Sequence, residues 1–377
     1  MEGSTNRVYQ TQSHKHLQAA RHVLEGQQSP HCEHEATMSI AQQWAAARNS
    51  AGSSDVYTGC PSSSWMKAYH DVVKTSQVKV IIDIGSNKGY FLMRLLHEFL
   101  PALRLTPARV LTTLNQIKPQ PDFGWCGDCS DCKMDPQHPE GEQPQQQQSP
   151  QQLLDDLQTV QVYSFEPSGP NFNALEHLKR IFFAVDDFSM NTPEAAVHWS
   201  IFKMAVANFS GNAWFPADCL KEYCRLKLDG MADDDAELMS SLETVPVITV
   251  DEIVAGEILP QGLTTFDVLK MDAQGFDPLL LQGAEATLEA QRPAIVQFKY
   301  GYSHAWGQTT LHDVVHQMHQ YGYVCYLDGS PTMTRLTGCW HPSFEYKMWG
   351  QVVCARAVDA ALIQALDNLS FQAQTAA

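Results

Sequence analysis

The chain has 377 residues, enough for one large domain with appendages, and 44% of them are hydrophobic, an ordinary share for a globular protein. Its 42 acidic residues against 25 basic ones leave a net charge of −17 with no local basic patch, so a nucleic-acid partner is disfavoured. The N-terminal stretch MEGSTNRVYQTQSHKH lacks the apolar core of a secretory signal, and no later segment reaches membrane-spanning length free of charge. Without an export signal, the ten cysteines read as reduced thiols of an intracellular, cytoplasmic protein, with an organellar address left open.

In chain order, residues 1–76 read as a polar extension, partly helical or disordered, with a helix expected around SIAQQWAAARNS. The main domain is expected over 77–356, followed by a C-terminal helix and tail over 357–377. It opens with VKVIIDI, a buried strand, after which Phe91, Leu92, Leu95, Leu96 and Phe99 recur at helical spacing until Pro101. A Cys- and Gln-rich exposed insertion follows at about 119–155. VQVYSFEP is the next strand, and PSGPNFNALEHLKR the next helix, with Ser168 as cap, Pro170 in its first turn and Phe172, Leu175 and Leu178 on one face. AVHWSIFKMAV and TTFDVLKMD read as strands, and FDPLLLQGAEATLEA as a helix opened by Asp277 and Pro278. AIVQFKY, YGYVCYL and MWGQVVCARA complete the strands, the last two as an antiparallel edge pair. Such alternation predicts an open α/β sheet with helices on both faces.

Ligands of such sheets bind beyond the carboxyl ends of the strands. Here the first strand runs into Asp83-Ile84-Gly85-Ser86-Asn87-Lys88-Gly89. Gly85 permits a tight turn, Gly89 close packing of the helix, and the turn is expected to expose amide groups at a helix N-terminus. The spacing is Gly-x-x-x-Gly, without the second close-set glycine of a dinucleotide site, which disfavours a nicotinamide-dependent oxidoreductase. Glu166 ends the second strand, where an acid can accept from both hydroxyls of a ribose or else serve as a helix-end or solvated acid. Its distance from Asp83 is 166 − 83 = 83 residues, lengthened by the insertion. A later strand ends in Asp272, and three acids on one rim suit a positively charged ligand.

The motifs DIGSNKGYF, SFEPSGPNF, AVANFSG, TVDEI and LKMDAQGFDPLLLQGA, in that order over roughly residues 78–330, resemble those of the FkbM-type S-adenosylmethionine-dependent methyltransferases. The resemblance implies a Rossmann-like, seven-stranded methyltransferase sheet, mostly parallel with an antiparallel last strand. It further implies that Asp83, Gly85, Asn87 and Gly89 border the methionyl end of S-adenosyl-L-methionine and that Glu166 holds its ribose. Ala205 to Asn208 would lie near the adenine and Asp272 near the transferable methyl, which implies a methyltransferase, most simply one acting on oxygen. Three positions depart from the pattern: Asn208, Gln274 and Lys299 stand where related sequences often carry acids.

Methyl transfer is an in-line displacement governed by alignment, and an alcohol acceptor must also lose a proton. Asp272 is the first candidate for that polar role, and His304 in YGYSHAW the second. Tyr300, Tyr302 and Trp306 either wall an acceptor pocket or pack in the core. Cys126, Cys129 and Cys132 form a C-x2-C-x2-C run suited to a structural zinc, with His138 or Cys60 as a fourth ligand, or are surface thiols. Cys219 and Cys224 read as packing residues or free thiols. The methyl acceptor, whether small molecule or biopolymer, is not legible, and a non-catalytic binding or scaffold protein that retains the fold is the alternative reading.

Overall fold

The computed structural model describes residues 63–73, 78–117, 159–183, 197–219, 224–227, 241–329, 333–345 and 349–371. In chain order its elements are α1 (Ser64–Val72), β1 (Val78–Ile84), α2 (Tyr90–Phe99), α3 (Pro107–Leu114), β2 (Thr159–Phe165), α4 (Gly169–Phe183), β3 (Val197–Phe202), β4 (Ala205–Val206), β5 (Gly211–Pro216) and β6 (Leu242–Ile248). There follow α5 (Val250–Ile253), β7 (Phe266–Met271), α6 (Asp277–Gln282), α7 (Glu285–Glu289), β8 (Pro293–Tyr300), α8 (Leu311–Gln320), β9 (Tyr323–Asp328), β10 (Met333–Arg335), β11 (Gly350–Arg356) and α9 (Ala360–Phe371). Two compact units divide the chain: one of Val73–Ile248 with Asp272–Gln274, the other of Met1–Val72, Thr249–Met271 and Gly275–Ala377.

In the first of these units β1, β2 and β3 are parallel, with Asp83 level with Ser164 and Phe165 level with Phe202. The aliphatic run of β1 buries Val80, Ile81 and Ile82, and the adjoining α2 buries Leu92, Met93, Leu95, Leu96 and Phe99. Each such side chain contributes about 1.5–3 kcal/mol by leaving water. Gly89 begins α2 in the left-handed region, at φ +83°, and a Cβ there would press on Leu175 and Leu178 of α4 at 3.1 and 3.3 Å. Its missing side chain is thus a packing requirement, as expected from the sequence. The Leu100 amide closes α2 onto the Leu96 carbonyl just before Pro101. The expected strand AVHWSIFKMAV divides in two: it bends at Lys203, and β4 leaves β3 to join a separate three-stranded sheet, β4-β6-β5.

In the other unit five strands run in the order β10-β9-β11-β8-β7. β7 and β8 are parallel, whereas β11 is antiparallel to both β8 and β9. The expected antiparallel pairing of the last two long strands is present, but not at an edge: β11 lies between β8 and β9, and the short β10 occupies the edge. Among the described residues, the short edge strand β10 is additional to the expected seven-stranded pattern. The α/β, Rossmann-like class is as expected. The TVDEI stretch serves the fold here. Thr249 and Glu252 form a capping box on α5, and the Asp251 carboxylate accepts the Ala286 and Thr287 amides of α7 at 3.1 and 2.8 Å.

The reduced-thiol expectation is corrected. Cys219 is bonded to Cys224, and Cys325 to Cys354, whose positions lie directly opposite each other on β9 and β11. Thiol usage therefore gives no argument for a reducing compartment. The Cys126, Cys129 and Cys132 run and the helix expected around residues 39–50 lie outside the described residues. No helix among the described residues is long and apolar enough to cross a membrane.

Candidate functional site

Strand tips, rather than helix faces, assemble the candidate site. β1 delivers Asp83, fully buried, and then turns sharply at Gly85, whose φ is +68°. The Gly85 and Ser86 amides donate to the Phe165 carbonyl of β2 at 2.9 and 3.3 Å, which ties the turn to the neighbouring strand end. The next amide, of Asn87, donates to Oε2 of Glu166 at 2.7 Å, and the Ser168 amide donates to Oε1 of the same carboxylate at 2.9 Å. Asp272, the residue after β7, closes the group: its amide donates to the Ile84 carbonyl at 3.1 Å. A Cβ on Gly85 would overlap the Asp272 carbonyl oxygen, so this approach requires glycine.

Main-chain contacts link Gly85, Asn87, Glu166 and Asp272 in one region, with Asp83 and Gly89 at the two ends of the same turn. The character of the turn differs from expectation. With the amides of Gly85, Ser86, Asn87 and Gly89 all engaged within the protein, it offers no row of outward donors to an anion. It presents acceptors instead. Asn87 Oδ1 is buried without a hydrogen-bond partner, the Glu166 carboxylate holds the Asn87 amide, and Asp83 and Asp272 flank the turn in the main chain. A ligand that brings donors and positive charge fits such a set; an anion does not. Asn87 and Gln274 both adopt left-handed backbone, at φ +49° and +52°, conformations that cost a non-glycine residue about 1–3 kcal/mol and gather at functional loops. Gln274 Nε2 reaches Oδ1 of Asp272 at 3.4 Å.

Glu166 has a structural task that the sequence did not reveal. Holding two main-chain amides, it fixes the geometry of both strand tips. Ser168 supports it. Fully buried, it caps α4 as expected by accepting the Asn171 amide at 3.3 Å, and its hydroxyl also donates to the Cys219 carbonyl at 2.6 Å. The only sequence signal was the Glu-Pro-Ser spacing. Asn208 lies exposed just beyond β4.

His304 belongs to the other unit, in the short turn His304–Gly307 after β8, with φ +53° and its ring stacked on Phe276 at 5.5 Å. Of the three aromatics beside it, Tyr300 and Trp306 are fully buried and meet edge to face at 5.0 Å, so they are core residues. Burial, followed by the neighbouring Glu345, pushes the Tyr300 hydroxyl well up, and it remains a donor to that carboxylate at 3.0 Å. Tyr302 is exposed and meets Trp349 at 5.5 Å, and the Lys299 ammonium lies 4.7 Å from the same indole ring. Asp277 is buried and accepts the Gly275 and Lys299 amides, a structural role.

The family model of the Methyltransferase FkbM domain matches residues 152–325. That stretch is similar to the FkbM methyltransferase domain. This domain match supports a methyltransferase, and it includes Glu166, Asn208, Asp272 and His304, whereas the glycine turn precedes it on the far side of the insertion. No curated protein and no solved structure matches the chain. Among the described residues no group of three His, Cys, Asp or Glu side chains is placed to hold a metal ion, and the zinc expectation rests on cysteines outside them.

Proposed function

We propose that the chain is an S-adenosylmethionine-dependent methyltransferase acting on oxygen. The observation that supports this reading is the turn after β1: Asn87 Oδ1 is buried without a partner, the Asn87 amide is held by the Glu166 carboxylate, and Asp83 and Asp272 stand at the adjoining strand ends. An amino-acid ammonium, two ribose hydroxyls and a sulfonium are the complementary groups. When bound, the cofactor supplies an electrophilic methyl group.

The protein's own contribution is binding and alignment. Glu166 accepts from the ribose hydroxyls while its amide contacts hold it still. Asn87 Oδ1 and Asp83 receive the donors at the methionyl end, and Asn208 serves the adenine side. Asp272, half-buried at the tip of β7, orients the acceptor hydroxyl and takes up its proton.

The deciding experiment incubates the purified chain with methyl-labelled S-adenosylmethionine and cell extract, then fractionates the labelled products by class. Label on an ester or ether oxygen is expected. Calorimetry that detects no binding of S-adenosylmethionine would refute the reading outright.

A further inference from the structure

Helix α8 carries a constellation that methyl transfer does not use. Its sequence, LHDVVHQMHQ, turns Leu311, Val314, Val315 and Met318 into the core, which sends His312, His316 and Gln320 outward at successive turns. Residues four apart on a helix are neighbours on one face. The rings of His312 and His316 lie parallel, 10° apart in plane with centroids 6.3 Å apart. Both side chains are exposed, so small rotations bring one nitrogen of each within about 2.1 Å of a shared ion.

The surroundings favour that use. His312 Nδ1 lies 3.7 Å from Oδ1 of Asp313, which leaves Nε2 on the far side of the ring from that carboxylate as the nitrogen to meet a metal. Asp313 is itself fixed by the Thr310 hydroxyl, which donates to Oδ2 at 2.6 Å. On the next turn, His316 Nε2 contacts Gln320 Nε2 at 3.0 Å, so His316 already presents that nitrogen as an acceptor to an amide N–H. A half-turn of the exposed Gln320 amide replaces that donor with Oε1, a third ligand on the same stripe. The indole of Trp340 meets the His312 ring edge to face at 4.9 Å and limits its rotation.

We propose that His312 and His316, with Gln320 as an auxiliary oxygen donor, form a binding site for a divalent transition-metal ion. Two imidazoles and an amide oxygen select copper, nickel or zinc over magnesium or calcium, which require oxygen-rich cages. The ion clips one turn of α8 to the next and stabilises the helix through linkage, since only the folded chain presents the pair. The site is independent of the methyl-transfer reading.

The test titrates Ni2+ into the full chain by calorimetry and compares it with His312→Gln/His316→Gln, both exposed positions whose replacement leaves the core intact. The wild type is expected to take up one more Ni2+ per chain than the variant, and its tryptophan fluorescence to fall through quenching of Trp340. That quenching disappears in Trp340→Phe while the binding stoichiometry stays. Equal stoichiometry in wild type and double variant, with matching circular dichroism, overturns the proposal. Should the double variant fail to fold, the milder single change His316→Gln takes its place, and an undiminished Ni2+ stoichiometry there overturns the proposal equally.

Discussion

The amide of Asn87 donates to the Glu166 carboxylate at 2.7 Å, which joins two strand tips separated by 79 positions of chain. Glu166→Ala is therefore expected to do two things. It lowers affinity for S-adenosylmethionine and, by leaving the Asn87 and Ser168 amides without their acceptor, costs about 1–3 kcal/mol of stability. Glu166→Gln keeps an acceptor oxygen and spares most of the stability while still weakening binding. Calorimetric titration together with urea denaturation separates the two effects. Unchanged affinity in both variants would remove Glu166 from the cofactor site.

Gly85→Ala places a methyl group on the Asp272 carbonyl oxygen at a left-handed backbone position. The strand tips must part to admit it. A loss on the order of 1–3 kcal/mol is expected, with weakened cofactor binding alongside. A variant with wild-type denaturation midpoint and affinity would show that the close approach of Gly85 to Asp272 is dispensable.

Asp272→Asn keeps the main-chain contact to Ile84 and the side chain's shape, and removes its charge. Turnover is expected to fall by about 10²- to 10⁴-fold, the usual range for a general base, with only a small change in S-adenosylmethionine affinity. Parallel loss of both quantities would assign Asp272 to binding alone.

Burial, then His316, then Arg335 hold the His319 imidazole below its ordinary value. As pH falls through about 6.5 the unfolded chain takes up this proton before the folded one, so stability declines on the acid side and is unaffected above it. His319→Gln should flatten that limb of the stability–pH curve. Superimposable limbs would contradict the assignment.

Asp251→Ala deprives α7 of the carboxylate that receives its first amides. The expected penalty is about 1 kcal/mol with no change in cofactor affinity. Chemical denaturation and calorimetry check the two halves of that statement.

The sequence carried the site further than its chemistry. Alternating apolar runs located β1, β2, β7, β8, β9 and β11, because strands buried on both faces leave a continuous hydrophobic signature. Gly85, Gly89, Glu166 and Asp272 stood out because a left-handed turn, a tight helix contact and acids at strand ends are local features. What was missed depends on contacts distant in sequence. That the turn's amides would be used internally follows from Phe165 and Glu166, on the far side of the insertion. Whether Tyr300 and Trp306 line a pocket or pack in the core was open from sequence, because their polar partners, Glu345 and the Lys299 carbonyl, come together only in the fold. The pairing of Cys325 with Cys354 required the register of two strands that no spacing rule supplies.

That register has a bearing on synthesis. Because β11 is hydrogen-bonded to β8 on one side and β9 on the other, each of those strands lacks one of its two neighbours until residues 350–356 leave the ribosome. β8 then waits through translation with one bare edge, the kind of surface that recruits strands from other nascent chains. β11 is thus the wedge that joins β8 to β9, and its disulfide locks the wedge to β9 once it has entered.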